Sequence, residues 1–357
     1  MASNNLYSNL KNDSIEMTKA AQNIDLRENS VLLYLVSPYA DRQPGLYELR
    51  KNGSNAKFVP LKEYTREKYS TDPERISEVI ADVKELREAK SYGLILWSHA
   101  LGWSPFFSNR DSYPDLAASR ADDISASAIQ EGAISKVDYV NLYSFGSDKN
   151  PGTGYTDKID IDELAEAIPD NMFEFIWFDA CMMSGIETIY ELRNKCEYFG
   201  AYPTEVFSPG MPYDLTLPYL VKEKADMVGC GREFFNYYAE NDYASLRTAT
   251  IAIADMKGLE PVAEYCKRIY SNTVPPSSVG MNYYSGRQNV AYPYYDFGQY
   301  TKALIAQHPE EDEAEFERLM DKFIIYKDAT EREFTGQPIN QEEYSGVSCH
   351  LYKPTQT

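Results

Sequence analysis

The stretch FEFIWFDACMMSGIE, residues 173–187, decides how the rest of the chain is read. Phe173, Phe175, Ile176, Trp177 and Phe178 make a short aromatic and β-branched run, the pattern of a central strand covered on both faces. Beyond it the character changes. Ser184, Gly185 and Ile186 lead into IETIYELRNK, where Ile186, Ile189, Tyr190 and Leu192 recur at helical spacing. Cys181 therefore falls on a strand-to-helix turn, at the carboxyl end of a strand, where open α/β sheets bind their ligands.

Working outward, YGLILWS, residues 92–98, is a second apolar run of strand length that delivers His99, followed by Ala100, Leu101, Gly102 and Trp103. If both strands lie in one parallel sheet, His99 and Cys181 emerge on the same edge. A thiol and an imidazole so placed form the smallest nucleophile and base pair: the ring takes the thiol proton and the thiolate attacks a carbonyl. Each residue alone has a plainer reading, a small apolar core residue for the cysteine and a satisfied polar group for the histidine. Their order, each closing an apolar strand, is less easily dismissed and sets a cysteine hydrolase beside those plainer readings. The other histidines are poorer partners. His308 lies among acids in AQHPEEDE, and His350 directly follows Cys349, so on a strand those two side chains point to opposite faces.

Composition narrows the partners. The 357 residues suffice for one large domain or two small ones, and 35 basic against 55 acidic residues give a net charge of −20, which repels nucleic acid and anionic membrane surfaces. Five cysteines, an odd number without a C-x-x-C pair, fit neither a disulfide framework nor a zinc site. No run of about eighteen apolar residues exists, so no membrane span is expected. Residues 1–30 are polar, without the apolar core of a signal peptide, and read as an extension ahead of the first strand.

Residues 31–36 form that strand, and GLYELRKNGSNAKFVPL, residues 45–61, reads as a hairpin on the rim of the sheet. Asp72 and Pro73 open a helix with Ile76, Val79, Ile80 and Val83 on one face, which crosses back to the strand ending at His99. Residues 104–135, rich in Ser, Asp and Ala, read as an insertion, followed by strand-like VDYVNLY, turn-rich GSDKNPGTGYTDK and the short helix DELAEAI. EYFGAY and SLRTATIAIAD are further strands flanking the helical GREFFNYYAEN. From Met256 the pattern turns mainly helical, in LEPVAEYCKRIYSN and PEEDEAEFERLMDKFIIYK, around the tyrosine-rich NYYSGRQNVAYPYYD. The expected division is an extension over 1–30, a core over 31–255 and a helical C-terminal portion, 256–357, packed on the core.

These segments carry a resemblance. ILWSHALGW resembles the strand-His-Gly-x-Gly-Trp motif of the clostripain family of cysteine peptidases, and FDACMMSGIETIYEL is similar to that family's Asp-Ala-Cys-Leu-Met segment and following helix. SFGSD (144–148), IDIDELAEAI (159–168), YFGAYPTEVFSPGMPYD (198–214), YYDFGQYTKAL (294–304) and YSGVSCHLY (344–352) extend the likeness over most of the chain from about residue 31. It implies a caspase-like α/β fold: a mostly parallel sheet with helices on both faces, His99 and Cys181 at the ends of adjacent strands, and the helical C-terminal portion beyond. It also implies an endopeptidase in which Cys181 attacks, His99 handles the proton, and the backbone N–H groups of Ala100 and Cys181 hold the oxyanion. Ala100 stands where the family usually has glycine. Alanine keeps the donor, but would be strained if the glycine's φ is positive. The Asp-Asn that often follows the family's first strand is missing.

Asp179, two residues before Cys181 on an extended strand, should point to the nucleophile's side of the sheet. A bare carboxylate there would raise the thiol pKa unless a cation sits against it when substrate binds, so cleavage after Arg or Lys is expected, as the resemblance also implies. Glu205 and Asp214 are further candidates for pocket acids; the other reading of Asp179 is a cap on backbone amides of the turn. Between His99 and Cys181 the chain inserts about 80 residues, more than one crossover helix needs. Arg110, Arg120 and Lys149 in that stretch offer the basic residue such a pocket accepts, and the resemblance implies maturation by self-cleavage there, into two chains that stay associated. It further implies protein or peptide substrates and an exported bacterial protein whose signal segment is absent from this sequence; a monomer and no cofactor are expected. Calcium, which some relatives require, stays open. Asp157, Asp160, Asp162 and Glu163 cluster in DKIDIDELAEAI but lack the glycine and spacing of an EF-hand loop, so no metal ligand is assigned. The rival class is a catalytically inactive caspase-like binding protein.

Overall fold

The computed structural model describes residues 6–39, 42–105, 143–149, 156–270, 273–284 and 294–351. It opens on a helix, α1 (Tyr7–Ala20), followed by β1 (Leu32–Leu35), β2 (Gly45–Asn52) and β3 (Asn55–Glu63), which form a small antiparallel sheet of their own. The hairpin and its turn fall where the sequence puts them, but the first strand joins this sheet rather than the main one. Next, α2 (Pro73–Leu86) starts as predicted: the Asp72 carboxylate accepts the Glu74 N–H at 2.9 Å, and proline stands in the first turn, where its missing N–H has no helical partner to lose.

The main sheet holds β4 (Tyr92–Trp97), β8 (Phe173–Asp179), β9 (Cys196–Ala201), β10 (Thr250–Asp255) and β12 (Ile324–Ala329), in the order β12-β10-β9-β8-β4. The pairs β4 with β8 and β8 with β9 are parallel; β9 with β10 and β10 with β12 are antiparallel. The sheet expected to be mostly parallel is thus mixed. Alternation and apolar runs report burial, not strand direction, so that half of the sheet was out of reach of the pattern. A separate three-stranded sheet carries β5 (Ala100–Pro105), β6 (Tyr143–Lys149) and β7 (Thr156–Asp160), so the turn-rich 146–158 contains two strand segments; most of VDYVNLY lies outside the described residues.

Helices cover both faces of the main sheet. On one lie α3 (Ile161–Ala167), α4 (Ile186–Glu191), α7 (Leu259–Tyr270), α8 (Phe297–Ile305) and α9 (Glu313–Phe323); on the other lie α1, α5 (Tyr213–Leu220) and α6 (Met227–Ala239). β8 shows why its sequence is apolar throughout. Ile176 and Phe178 enter the first core and Phe175 and Trp177 the second, so no side chain between Phe175 and Phe178 reaches water. Each such burial stabilises by about 1.5–3 kcal/mol, so the strand that presents the cysteine is firmly anchored.

The C-terminal portion departs from a helical unit. Helix α9 ends at Phe323 and Ile324 begins β12, which closes the main sheet, while β11 (Tyr294–Asp296) pairs with β13 (Ser348–His350). FIIYK continues the helical period of the preceding acids, but its Ile324, Tyr326 and Lys327 stand as strand partners of Ala254, Ile253 and Ala252. The N-terminal extension is also structured, with Leu10, Met17 and Ala20 of α1 buried in the second core.

Candidate active site

The two organising strands are neighbours. Trp97 of β4 pairs in parallel register with Asp179 of β8, so His99 and Cys181 each stand two residues beyond a paired position, at the same end of adjacent strands. After His99 the chain turns into β5. Gly146 donates its N–H to the His99 carbonyl at 3.0 Å, which makes His99 and Gly146 the hydrogen-bonded pair of that ladder. The next pair, Ala100 with Phe145, is then the non-bonded kind, and the Ala100 N–H points away from β6. Ala100 does not have positive φ, so the anticipated strain does not arise there. The left-handed conformation falls instead on Gly102 (φ 62°) and on Met182 (φ 62°).

Met182 is the residue after the cysteine, and a side chain held at such φ costs about 1–2 kcal/mol, so its neighbours must hold the turn. They do: Met182 donates to the Thr204 carbonyl at 2.9 Å and Ser184 to that of Tyr202 at 3.1 Å, while Ser348 of β13 donates to Ser184 at 2.9 Å. Gly102 lies against the Met182 carbonyl so closely that a Cβ there would collide with it. Half-buried Cys181 is bracketed by one residue: the Val206 N–H donates to its sulfur at 3.4 Å and the thiol faces the Val206 carbonyl at 3.8 Å. Burial pushes the thiol up to about 12, Glu205 and Asp179 add to the rise, and the Val206 N–H opposes it. In this state the sulfur carries its proton.

Asp179, the last residue of β8, is not an open pocket acid. Its oxygens accept the Met211 N–H at 3.1 and 3.2 Å, the Tyr213 hydroxyl at 2.9 Å and the Tyr202 hydroxyl at 3.4 Å. Only 4% of it is exposed, and burial raises it to about 6 against those stabilising bonds. Gly210 roofs it; a Cβ there would stand 2.7 Å from both carboxylate oxygens. Phe207 of the same turn is wedged between Tyr238 and Phe334. Glu205 is half-buried near the thiol, whereas Asp214 lies in the first turn of α5, beside Glu16.

Lys149 is exposed at the end of β6, opposite Thr156, rather than in an irregular loop; Arg110 and Arg120 lie outside the described residues. The acids near α3 already have protein partners. Asp157 accepts from Thr71 at 2.8 Å, and Asp160 and Glu163 form the capping box of α3. Among the described residues no group of three His, Cys, Asp or Glu side chains is arranged to hold a metal. His308 is half-buried against Glu310, and His350, lowered to about 4 by burial, donates its backbone N–H to Glu187.

Sequence reasoning missed the contribution of α1. Glu16 accepts the Tyr213 N–H at 3.1 Å and so caps α5, and Asp13 is buried beside Asp179. The spacing of Leu10, Asp13, Met17 and Ala20 was the available signal, hidden by the polar residues between them.

An α/β protein whose neighbouring parallel strands deliver a thiol and an imidazole to one edge has the framework of a cysteine peptidase. The clostripain family model matches residues 1–116 and 141–340, and the chain belongs to that family of cysteine peptidases. The fold is similar to that of an inactive zymogen C11 protease from Parabacteroides distasonis (23% identity, TM-score 0.75, covering 99% of this chain and 90% of that one). It is also similar to a secreted C11 cysteine protease from Bacteroides thetaiotaomicron in complex with an irreversible peptide inhibitor (22% identity, TM-score 0.74, 100% and 91%). A third likeness is to the secreted C11 cysteine protease iotapain from the same species (24% identity, TM-score 0.74, 98% and 90%). No curated protein sequence matches the chain. Among the described residues, no helix is long and apolar enough to cross a membrane.

Proposed function

We propose that the chain is an endopeptidase that cleaves after Arg or Lys, with Cys181 as nucleophile and His99 as its base. The observation that carries this reading is the shared register, Trp97 against Asp179, which sets both residues two positions past a paired site in a chain of this family. The thiol, raised by burial, starts protonated; His99 takes that proton as the sulfur attacks the scissile carbonyl, then returns it to the leaving amine. The Ala100 N–H, directed away from β6, and that of Cys181 receive the developing oxyanion. Asp179 takes the cationic side chain once the 206–211 turn lifts from it, and Glu205 stands nearer the thiol, with Asp214 further out.

Self-cleavage between His99 and Cys181 belongs to the same reading, at Arg110, Arg120 or Lys149. Lys149 is exposed, which supports it as an accessible site. The chain acts as an exported bacterial monomer on protein or peptide substrates; the secreted relative from Bacteroides thetaiotaomicron supports export. A catalytically inactive caspase-like binding protein is the second reading, favoured by the Val206 bracket on the thiol and the raised thiol pKa. Reporter peptides with Arg, Lys, Leu or Asp before the cleaved bond separate the two. Turnover of the Arg and Lys peptides, lost in Cys181→Ala and His99→Ala, supports the peptidase; equal or better turnover of the Leu or Asp peptide removes the basic preference, and no turnover favours the binding protein.

A further inference from the structure

One face of α1 runs along the segment that covers the site. Asn9 donates to the Ser208 hydroxyl at 3.3 Å and Glu16 accepts the Tyr213 N–H at 3.1 Å. Between them lies Asp13, 1% exposed, whose Oδ2 has no hydrogen-bond partner. The groups facing it are Asp179 of β8, Tyr213 of α5, Tyr238 of α6 and Glu16 of its own helix, with Lys19 acting on Glu16. A buried carboxylate with an unpaired oxygen beside a second carboxylate has no counter-charge among them, and such a group stays neutral until one arrives.

We propose that Asp13 is a second acid of the specificity pocket, which takes the cationic head of the substrate side chain together with Asp179 and releases its own proton to bulk water in doing so. This rests on the reading that the substrate carries Arg or Lys at the cleaved bond. Burial, then Asp179 and Glu16, push Asp13 up to about 9, while Asp179 lies at about 6. At about pH 7.5 the resting pair therefore shares one proton and one negative charge, with the deeper rise on Asp13. A guanidinium between them offers parallel donors to both carboxyls and favours the ionised form of each, so one proton leaves for each ligand bound. The unpaired Oδ2 is the acceptor this ligand would satisfy.

The test uses Cys181→Ala protein, so that nothing is cleaved, and two probes: a peptide ending in Arg and the same peptide ending in neutral citrulline. Calorimetry at about pH 7.5 in two buffers of different protonation enthalpy counts released protons. The Arg peptide should bind at least about tenfold more tightly than the citrulline peptide and release about one proton. Adding Asp13→Asn should abolish that release and weaken the Arg peptide about tenfold, leaving the citrulline peptide unchanged. An Arg peptide that binds no better than the citrulline peptide overturns the basic-pocket reading and this proposal with it. If the preference holds but no proton is released, or Asp13→Asn changes neither quantity, Asp13 is not a pocket acid and the reading of Asp179 stands. Proton release is measured with Asp13 intact, so the proposal can fail even if Asp13→Asn does not fold.

Discussion

Gly102→Ala should damage both the fold and the site, for two separable reasons. Gly102 has φ 62°, a conformation that costs an alanine about 1–2 kcal/mol. Its new Cβ would also collide with the Met182 carbonyl, a backbone atom, with the Tyr294 hydroxyl only 3.2 Å away, so relief requires the turn after Cys181 to move. Overpacking of this kind adds about 1–3 kcal/mol, for a total of about 2–5 kcal/mol. If Cys181 is the nucleophile, as proposed, displacing the residue next to it by about 1 Å should lower kcat/KM about 100-fold. Gly53→Ala is the control: its φ is 60°, but nothing lies within 4 Å of the added Cβ. It should lose only the conformational part, about 1–2 kcal/mol, with full activity. Urea unfolding and reporter-peptide kinetics on the pair decide the matter. Equal stabilities for the two variants, with Gly102→Ala fully active, would refute the idea that contact with Met182 sets the cysteine turn.

Further outcomes follow from buried polar groups and from the segment between His99 and Cys181. Tyr213→Phe removes the hydroxyl that donates to Asp179 at 2.9 Å, and should destabilise by about 1.5–3 kcal/mol in urea unfolding at neutral pH; no change would mean that Asp179 is held by its other donors alone. Asp13 has a folded pKa of about 9 against 3.8 for the free group, so the folded chain holds the proton more tightly and stability falls as pH rises from about 4 to about 9. Asp13→Asn, which cannot ionise, should therefore match wild type near pH 4 and exceed it near pH 9 in chemical denaturation; parallel curves across that range would contradict the burial of an uncharged Asp13. Incubated side by side and followed by intact mass, wild type should yield fragments ending in Arg or Lys and Cys181→Ala none, while equal fragmentation of both would exclude self-processing.

The site was legible because burial and chemistry coincide in it. FEFIWFD and YGLILW are strands whatever their partners, and a cysteine and a histidine at their ends stand out against apolar runs. The socket of Asp179 was out of reach of the pattern: Tyr202, Met211 and Tyr213 reach it through a loop and a helix start that no periodicity describes. Helix α1 escaped because its buried stripe includes a carboxyl, Asp13, and polar residues dominate its average. In β6 and β7 the acids Asp148 and Asp157 read as turn residues, yet they are buried and satisfied by Ser70 and Thr71 from a distant loop. The antiparallel half of the main sheet, β10 with β9 and β12, depends on long-range pairing, and FIIYK became strand only because β10 needed an edge partner.

The central claim is that Cys181 is a nucleophile served by His99 and aimed at substrates with a basic side chain. Its most direct test is covalent capture by a peptidyl acyloxymethyl ketone ending in Arg, located by digestion and mass spectrometry in wild type, Cys181→Ala and His99→Ala. The account predicts one adduct per chain, on Cys181, formed faster than with the Leu-ending reagent, slowed in His99→Ala and absent from Cys181→Ala. Modification of Cys196, Cys230, Cys266 or Cys349 at the rate of Cys181, or no adduct on wild type, would contradict it.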